Sequence, residues 1–224
     1  MIAARESILG AGHFLPLAKA IAELAGTHAS WARLVMEAGA GTGYYVAHVL
    51  DSLPRSLGLA IDLSKYAARR AARAHLRLYA VIADVFEPLP VQSGAVDLAV
   101  NVFAPRPAAE LHRVLSSDGR LIVAVPTTRH LEELRAPLAL LDVDRKKEWR
   151  LERALDPFFR QLERRSCRWT MELNHEQIAS LAGMGPSARH IGPDTLAESI
   201  AGLAPVVTVT GEVDLHVYAQ AQAG

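Results

Sequence analysis

A glycine-rich turn at residues 37–43, with the sequence EAGAGTG, is the part of this chain best suited to bind a small ligand. It follows an apolar run at 33–37 and precedes a helix-like stretch that reaches about residue 51. Glycines let a backbone turn sharply and approach a ligand closely, and the helix that follows offers free N–H groups at its start. Such a turn predicts a ligand site beyond the carboxyl end of the first strand, and by itself it is shared with dinucleotide-binding proteins.

Acidic residues around this turn indicate which ligand it binds. Glu37 precedes the first glycine, and the glycines at 39, 41 and 43 depart from the G-x-G-x-x-G spacing that packs a pyrophosphate. Asp84 follows the third apolar run, where a carboxylate can reach an adenine amino group. Asp62 lies 23 residues after Gly39, placed to accept from both ribose hydroxyls. The set favours S-adenosylmethionine (SAM), while Asp62 alone suits NAD equally well.

The elements that must position these residues alternate between strand and helix. Short apolar runs predict buried strands, and stretches of helical character separate most of them; Ser64 predicts the cap of one such helix. This alternation is typical of an α/β domain, in which helices wrap a mostly parallel, doubly wound sheet through right-handed crossovers. The predicted strands are 33–37, 56–62, 78–83, 95–102 and 120–125.

The second half of the chain departs from this rhythm. Residues 127–168 are charged and carry apolar positions at helical spacing, so they predict helices. Asn174 followed by Gln177 predicts a capping box for a further helix. Residues 206–210 and 213–219 are rich in β-forming types and predict a terminal antiparallel pair at the sheet edge.

Composition limits the classes of protein that fit. The chain has 224 residues, half of them apolar, which is enough for one well-buried core. No apolar run reaches the roughly 20 residues of a membrane-spanning helix, and the first residues lack the order of regions found in a signal peptide. We therefore expect a cytoplasmic protein with no membrane partner. Cys167 is the single cysteine and the nine histidines are scattered, so we expect no internal disulfide and no metal in this chain.

Positive charge is concentrated in two stretches, although the formal net charge is zero. Residues 145–168 contain nine Lys or Arg and only four acidic residues, and a second cluster comprises Arg69, Arg70, Arg73 and Arg77. Each stretch fits either a solvated face or a surface that binds RNA phosphates, and the sequence leaves both interpretations open.

Several motifs together resemble one family, the 23S rRNA guanine-N1 methyltransferases of the RlmA type. The E-x-G-x-G-x-G turn and the acids after the second and third strands resemble class I methyltransferases in general. M-G-P-S-A at 184–188 is similar to the branch that confers resistance to tylosin-like macrolides. The more specific motifs are R-x7-H-F-x-P-L at 5–17, G-Y-Y at 43–45, G-L-x-x-D-L-S-K at 58–65, F-A-P at 103–105 with E-L at 110–111, and P-x-x-R-H-L-x-E-L at 126–134.

The resemblance implies a fold, an activity and partners. The fold is a Rossmann-like, mostly parallel, seven-stranded sheet with an antiparallel C-terminal strand. The organisation is a helical segment at 1–30 and a methyltransferase domain at 31–224, with a basic helical insertion near 127–168. The activity is methyl transfer from SAM to N1 of a guanine in 23S rRNA, with a role in macrolide resistance, by a homodimer.

The same resemblance, with the strand ends predicted above, assigns candidate site residues. Glu110, Asp97 and His13 are candidates for the base that removes the guanine N1 proton, and the sequence does not choose among them. The expected cofactor-binding residues are Glu37, Gly39, Ala40, Gly41, Asp62, Leu63, Asp84, Val85, Asn101 and Val102. The expected acceptor-binding residues are His13, Phe103, Arg129 and His130.

One departure from the family leaves two alternatives open. Family members usually begin with a small cysteine-rich zinc domain, and this chain begins near what would be the end of that domain. The alternatives are a SAM methyltransferase that acts on a small molecule of secondary metabolism, and a chain that binds SAM but is inactive without the zinc domain.

Overall fold

The computed structural model describes residues 2–140, 153–185 and 192–221. The strands are β1 (Leu34–Ala38), β2 (Leu57–Asp62), β3 (Leu78–Ile82), β4 (Val96–Val102), β5 (Leu115–Pro126), β6 (Phe159–Asn174) and β7 (Val206–Gln220). The helices are α1 (Ile2–Gly10), α2 (Leu15–His28), α3 (Tyr44–Ser52), α4 (Lys65–Ala74), α5 (Ala108–Val114), α6 (Glu132–Arg135), α7 (His175–Met184) and α8 (Pro193–Ala201). The predicted α/β alternation is confirmed from β1 to β5 except between β3 and β4, where residues 83–95 form no helix.

The strands form one seven-stranded sheet in the order β3-β2-β1-β4-β5-β7-β6. Strands β1 to β5 pair in parallel. Strand β7 is antiparallel, because the side chain of Gln220 at its end donates to the carbonyl of Leu115 at the start of β5, while the Thr127 N–H just after β5 donates to the carbonyl of Glu212 in the first half of β7. The doubly wound sheet with an antiparallel C-terminal strand is therefore confirmed. The strand order reverses between β1 and β4, which is where a ligand binds in such a sheet.

The chain divides into two compact units. One unit, 17–125 with 146–165 and 214–224, contains the parallel strands and a core around Met36, Ile61, Leu111, Leu121 and Val123, which are all fully buried.

The other unit comprises 1–16, 126–145 and 166–213. In it α1 packs against α7, and the fully buried Phe14 ring lies edge-on to Trp169, with 5.6 Å between ring centroids.

Two capping predictions are confirmed. The Ser64 hydroxyl accepts a hydrogen bond from the Ala67 N–H at the start of α4. Asn174 and Gln177 form the reciprocal capping box of α7, each side chain accepting from the other residue's backbone N–H. Both helices therefore begin where their local sequence predicts.

The predicted terminal antiparallel pair is wrong, because 206–210 and 213–219 belong to the single strand β7. Gly211 does not turn the chain. A Cβ at this position would lie 2.2 Å from Cε2 of Trp169, so the glycine lets an indole ring lie directly against the strand backbone. The glycine marks a close approach within a strand rather than a loop.

The helical prediction for 127–168 is wrong for its last part, since 159–168 belong to β6. Leu155, Phe158, Phe159 and Leu162 have helical spacing, but from Arg164 onward the strand alternates exposed and covered side chains, as a strand with one buried face does. Residues 141–152 of the predicted insertion lie outside the described residues, as do 186–188 of the M-G-P-S-A motif.

No single helix in the described part of the chain is long and apolar enough to cross a bilayer. Helices α1 and α2 have the required length and composition only when taken together, as a pair bent by 81°.

Candidate functional site

The glycine turn has the backbone conformation that its composition predicts. Gly39, Gly41 and Gly43 have φ angles of 72°, 56° and 78°, in the left-handed region that side chains disfavour. A Cβ on Gly39 would lie 2.5 Å from the Cβ of Ala104, and one on Gly43 would lie 3.0 Å from the Cα of Ala71. The glycines at 39 and 43 are therefore required both by backbone angle and by close packing.

Two carboxylates accept hydrogen bonds from backbone N–H groups in and next to this turn. Glu37 is buried at the end of β1, and its Oε2 accepts from the Val46 N–H in the first turn of α3, 3.0 Å away. Asp62 at the end of β2 accepts from the Gly41 N–H and from the Ser64 N–H, both at 2.8 Å. A carboxylate at a helix N-terminus is favoured by the helix dipole. Asp62 thus joins the glycine turn to the start of α4.

The carboxyl ends of β2 and β3 present apolar side chains to solvent. Leu63 is 66% exposed and Phe86 is 72% exposed. Asp84 accepts from the Phe86 N–H at 2.9 Å and so orders the loop after β3. Val85, by contrast, is buried in the core, which leaves only its backbone for a ligand. Exposed apolar side chains next to carboxylates suit a purine nucleoside, whose ring is apolar and whose edges and ribose are polar.

Asn101 does not offer a free side chain. It is fully buried at the end of β4, donates to the carbonyls of Ala38 (3.3 Å) and Pro105 (2.8 Å), and accepts from Nε of Arg106 at 3.0 Å. The side chain therefore connects β1, β4 and the following loop. Val102 is likewise buried. In this structure, therefore, neither side chain is exposed to solvent.

Phe103 combines backbone strain with exposure. Its φ is 54°, an uncommon value for a residue with a bulky side chain, and its ring is 38% exposed. The ring lies edge-on to Tyr45, with 6.5 Å between centroids. Strained residues of this kind concentrate at functional sites, so the loop after β4 is suited to present an aromatic face to an acceptor.

The three other expected acceptor residues, His13, Arg129 and His130, belong to the unit that contains α1 and α7. The Trp169 indole donates to the carbonyl of His13, whose Nε2 is buried with no hydrogen-bond partner among the described residues. Burial lowers the pKa of His13 and favours its neutral form. His130 accepts at Nδ1 from the Glu212 N–H, and Arg129 is exposed.

The structure separates the two carboxylate candidates for the base. Asp97 accepts from the Arg33 and Leu34 N–H groups at the start of β1, which places it at the amino edge of the sheet, opposite the glycine turn. Glu110 pairs with Arg113 at 2.5 Å, and the hydrogen bond from Arg113 lowers the pKa of Glu110. A carboxylate held ionised by a guanidinium is a weak proton acceptor.

The described part of the basic stretch at 145–168 is partly neutralised. Three of the four arginines of β6 have carboxylate partners, while Arg160 is exposed and forms no ion pair with a described residue. The pairs are Arg164–Asp214 (2.9 Å), Arg165–Glu163 (3.1 Å) and Arg168–Glu212 (3.6 Å).

The second basic cluster contains two kinds of residue. Arg77 is structural, since its guanidinium donates to the carbonyls of Leu50, Leu53 and Ser56 at the end of α3.

Arg70 is half-buried, and its guanidinium donates to the carbonyl of Tyr66. Arg69 and Arg73 of this cluster form a stripe along α4 together with Lys65. These last three residues recur every fourth position and are exposed, and α4 contains no acidic residue. None of the three makes an ion pair with a described residue. Such spacing puts all three side chains on one face of the helix.

Among the described residues, no group of three His, Cys, Asp or Glu could hold a metal ion. Arg106 was not among the predicted site residues. A single arginine after a strand end has no pattern that distinguishes it from a surface residue.

Fold and turn together define the class of protein. Residues 36–123 match the family described as methyltransferase domain. The tRNA (m1A58) methyltransferase TrmI of Aquifex aeolicus has the same fold, with a TM-score of 0.59 at 10% identity, over 93% of this chain and 69% of that one. The chain is a SAM-dependent methyltransferase of class I.

Similarity to curated proteins gives the family. A protein of Micromonospora griseorubida named as a 23S rRNA (guanine-N(1)-)-methyltransferase is 43% identical over 97% of this chain and 79% of its own length. The 23S rRNA (guanine(748)-N(1))-methyltransferase of Streptomyces fradiae is 41% identical over 97% of this chain and 78% of its own length. The chain belongs to the 23S rRNA (guanine-N1)-methyltransferase family.

Proposed function

We propose that this protein transfers the methyl group of SAM to N1 of a guanine in 23S rRNA, in the cytoplasm, and thereby protects the ribosome against tylosin-like macrolides. The observation that supports this function most directly is the identity of 43% and 41%, over nearly the whole chain, to relatives named for that reaction.

The residues around the glycine turn fit the cofactor. Exposed Leu63 and Phe86 suit the adenine ring, with Asp84 for its amino group, and Asp62 has lone pairs left for the ribose hydroxyls. Bound SAM supplies an electrophilic methyl group on a sulfonium. The backbone at Gly39, Ala40 and Gly41, held in place by Glu37 and Asp62, is what positions it. Positioning alone can lower a barrier by roughly 7–11 kcal/mol in favourable cases.

The acceptor requires that a guanine leave its base stack. The N1–CH3 bond forms as the S–CH3 bond breaks, and the N1 proton passes to a base or to water. We assign Phe103 to stack on the displaced base, since aromatic rings bind unstacked bases in this way. His13, Arg129 and His130 remain our candidates for acceptor binding. Among the three candidates for the base we favour His13, because its Nε2 has no hydrogen-bond partner among the described residues, while Asp97 and Glu110 are engaged.

RNA binding by the described residues is assigned to α4 rather than to β6. Exposed Lys65, Arg69 and Arg73 are available for phosphates, whereas three of the four arginines of β6 are engaged by carboxylates. Phosphate contacts of this kind make RNA affinity fall with rising salt.

The test is methyl transfer from labelled SAM to 23S rRNA fragments, read by primer extension. N1 lies on the Watson–Crick edge, so its methylation stops the reverse transcriptase at the modified guanine. We expect one strong stop with the wild-type chain and none with G39A, which places a Cβ against Ala104. Binding of S-adenosylhomocysteine without any label in RNA, or label in a small molecule only, would overturn the proposed acceptor.

A further inference from the structure

Arg106 lies in the loop between β4 and α5 and was not among the site residues predicted from the sequence. Its Nε donates to Oδ1 of Asn101 at 3.0 Å, and Asn101 in turn donates to the carbonyl of Ala38 at the end of β1. This chain of hydrogen bonds fixes the guanidinium at the carboxyl edge of the sheet. Ala104 of the same loop packs against Gly39, so the loop adjoins the glycine turn directly.

The charge of Arg106 has no counter-charge within the described residues. The residue is half-buried, and no carboxylate there lies within ion-pair distance of its guanidinium. Arg113, one helix further on, shows the ordinary arrangement, since it pairs with Glu110 at 2.5 Å. Burial lowers the pKa of Arg106, and the nearby Tyr218 partly offsets this effect. A partly buried cation without a counter-charge is costly unless a ligand supplies the negative charge.

The geometry leaves both terminal nitrogens of Arg106 for a ligand, because only Nε is bonded to a described residue. A guanidinium presents these nitrogens as a planar fork that matches a carboxylate or a phosphate. The reaction proposed above brings both kinds of oxyanion to this edge, the carboxylate of the amino-acid end of SAM and the phosphates of the acceptor RNA.

We propose that Arg106 is an oxyanion-binding residue of the active site, which binds the carboxylate of the cofactor or a phosphate of the acceptor nucleotide. This inference rests on the proposed function for the second of the two anions but not for the first.

The experiment compares R106Q and R106K with the wild-type chain, and it uses two cofactor probes. S-adenosylhomocysteine has the carboxylate, while 5′-methylthioadenosine has the same nucleoside and sulfur without it. Both are titrated calorimetrically, and 23S rRNA fragment binding is measured at several salt concentrations. Melting temperature is recorded for each variant as a check on folding.

If Arg106 binds the cofactor, R106Q weakens the binding of S-adenosylhomocysteine by about 10- to 100-fold, the range of one charge-assisted hydrogen bond, and leaves the affinity for methylthioadenosine unchanged. If Arg106 binds RNA, the affinities for both cofactor probes are unchanged, RNA binding weakens, and its salt slope falls by about 1. In either case R106K, which keeps the charge, recovers part of the loss.

Two outcomes would overturn the inference and make Arg106 a structural residue. One is an equal loss of affinity for both cofactor probes, and the other is a lower melting temperature with no change in the affinity for any ligand. Wild-type chain that binds S-adenosylhomocysteine but methylates no RNA would overturn the proposed function instead, and would leave the carboxylate arm of this test intact.

Discussion

Helix α4 and strand β6 are both rich in arginine, and the surroundings of those side chains differ. On β6, Arg164, Arg165 and Arg168 each meet a carboxylate. On α4 the cations at 65, 69 and 73 are exposed, and the helix has no acid among its ten residues.

The comparison shows that charge counted along a sequence is not the charge available to a partner. Like charges four residues apart destabilise a helix by about 0.2–0.5 kcal/mol per pair, so the stripe on α4 carries a small cost. The RNA-binding role that we propose for this stripe is consistent with that cost.

The largest expected effect is a loss of stability on replacing Arg77, which differs from the loss of RNA binding expected for its neighbours on α4. R77A removes the hydrogen bonds to the carbonyls that end α3, and leaves those carbonyls partly buried. We expect a loss of about 2–3 kcal/mol in the free energy of unfolding, measured by urea denaturation. RNA affinity per folded molecule should stay constant; a fall in affinity at unchanged stability would place Arg77 with the stripe on α4.

Next in size is the effect of removing the stripe. R69Q/R73Q should weaken 23S rRNA fragment binding by about tenfold at low salt, and should lower the salt slope by about 2, since two phosphate contacts are lost. The matched control is K19Q/R55Q, which removes two exposed charges elsewhere. Equal weakening by both double variants would mean that net charge, and not the stripe, attracts RNA.

For strand β6 we expect the opposite result, a loss of stability with no loss of RNA binding. R164Q leaves Asp214, whose side chain is only 17% exposed, without its 2.9 Å partner. We expect about 1 kcal/mol lower stability in thermal unfolding and unchanged RNA binding. R164Q/D214N should recover part of the stability. A loss of RNA affinity as large as that of R69Q/R73Q would remove the distinction between the two elements.

The smallest effect concerns pH. The hydrogen bond with His28, and next that with Arg165, keep the pKa of Glu163 below its ordinary 4.5. A lowered carboxyl pKa stabilises the fold above pH 4.5, and this contribution is lost as the pH falls through the folded-state value. E163Q should therefore melt about 1–2 °C below wild type at pH 7, with the difference shrinking in acid. A difference that is constant with pH would contradict this account.

Local signals were sufficient for the glycine turn and its carboxylates. Gly39 and Gly43 need angles that only glycine adopts easily, and Glu37 and Asp62 lie at strand ends that short apolar runs define. Each of these features depends on a few neighbouring residues. The conformation of the glycine turn and the places of its two carboxylates were therefore accessible from the sequence, together with the parallel strands β1 to β5.

Features that depend on distant partners were not accessible. The helical spacing of Leu155, Phe158 and Leu162 gave no hint that this part of the chain leads into a strand paired with β7. The sequence predicted that the side chain of Asn101 contacts a ligand, whereas in the structure it is hydrogen-bonded to Arg106 and to the carbonyl of Ala38. A sequence shows which polar groups are present, but only the structure shows which of them have hydrogen-bond partners.

The contact between Gly211 and the indole of Trp169 constrains how relatives of this chain can diverge. With only 2.2 Å available for a Cβ, any larger residue at 211 forces the ring away from the strand. A substitution at 211 therefore requires that the ring at 169 move or be replaced by a smaller side chain, and we expect the two positions to change together across the family.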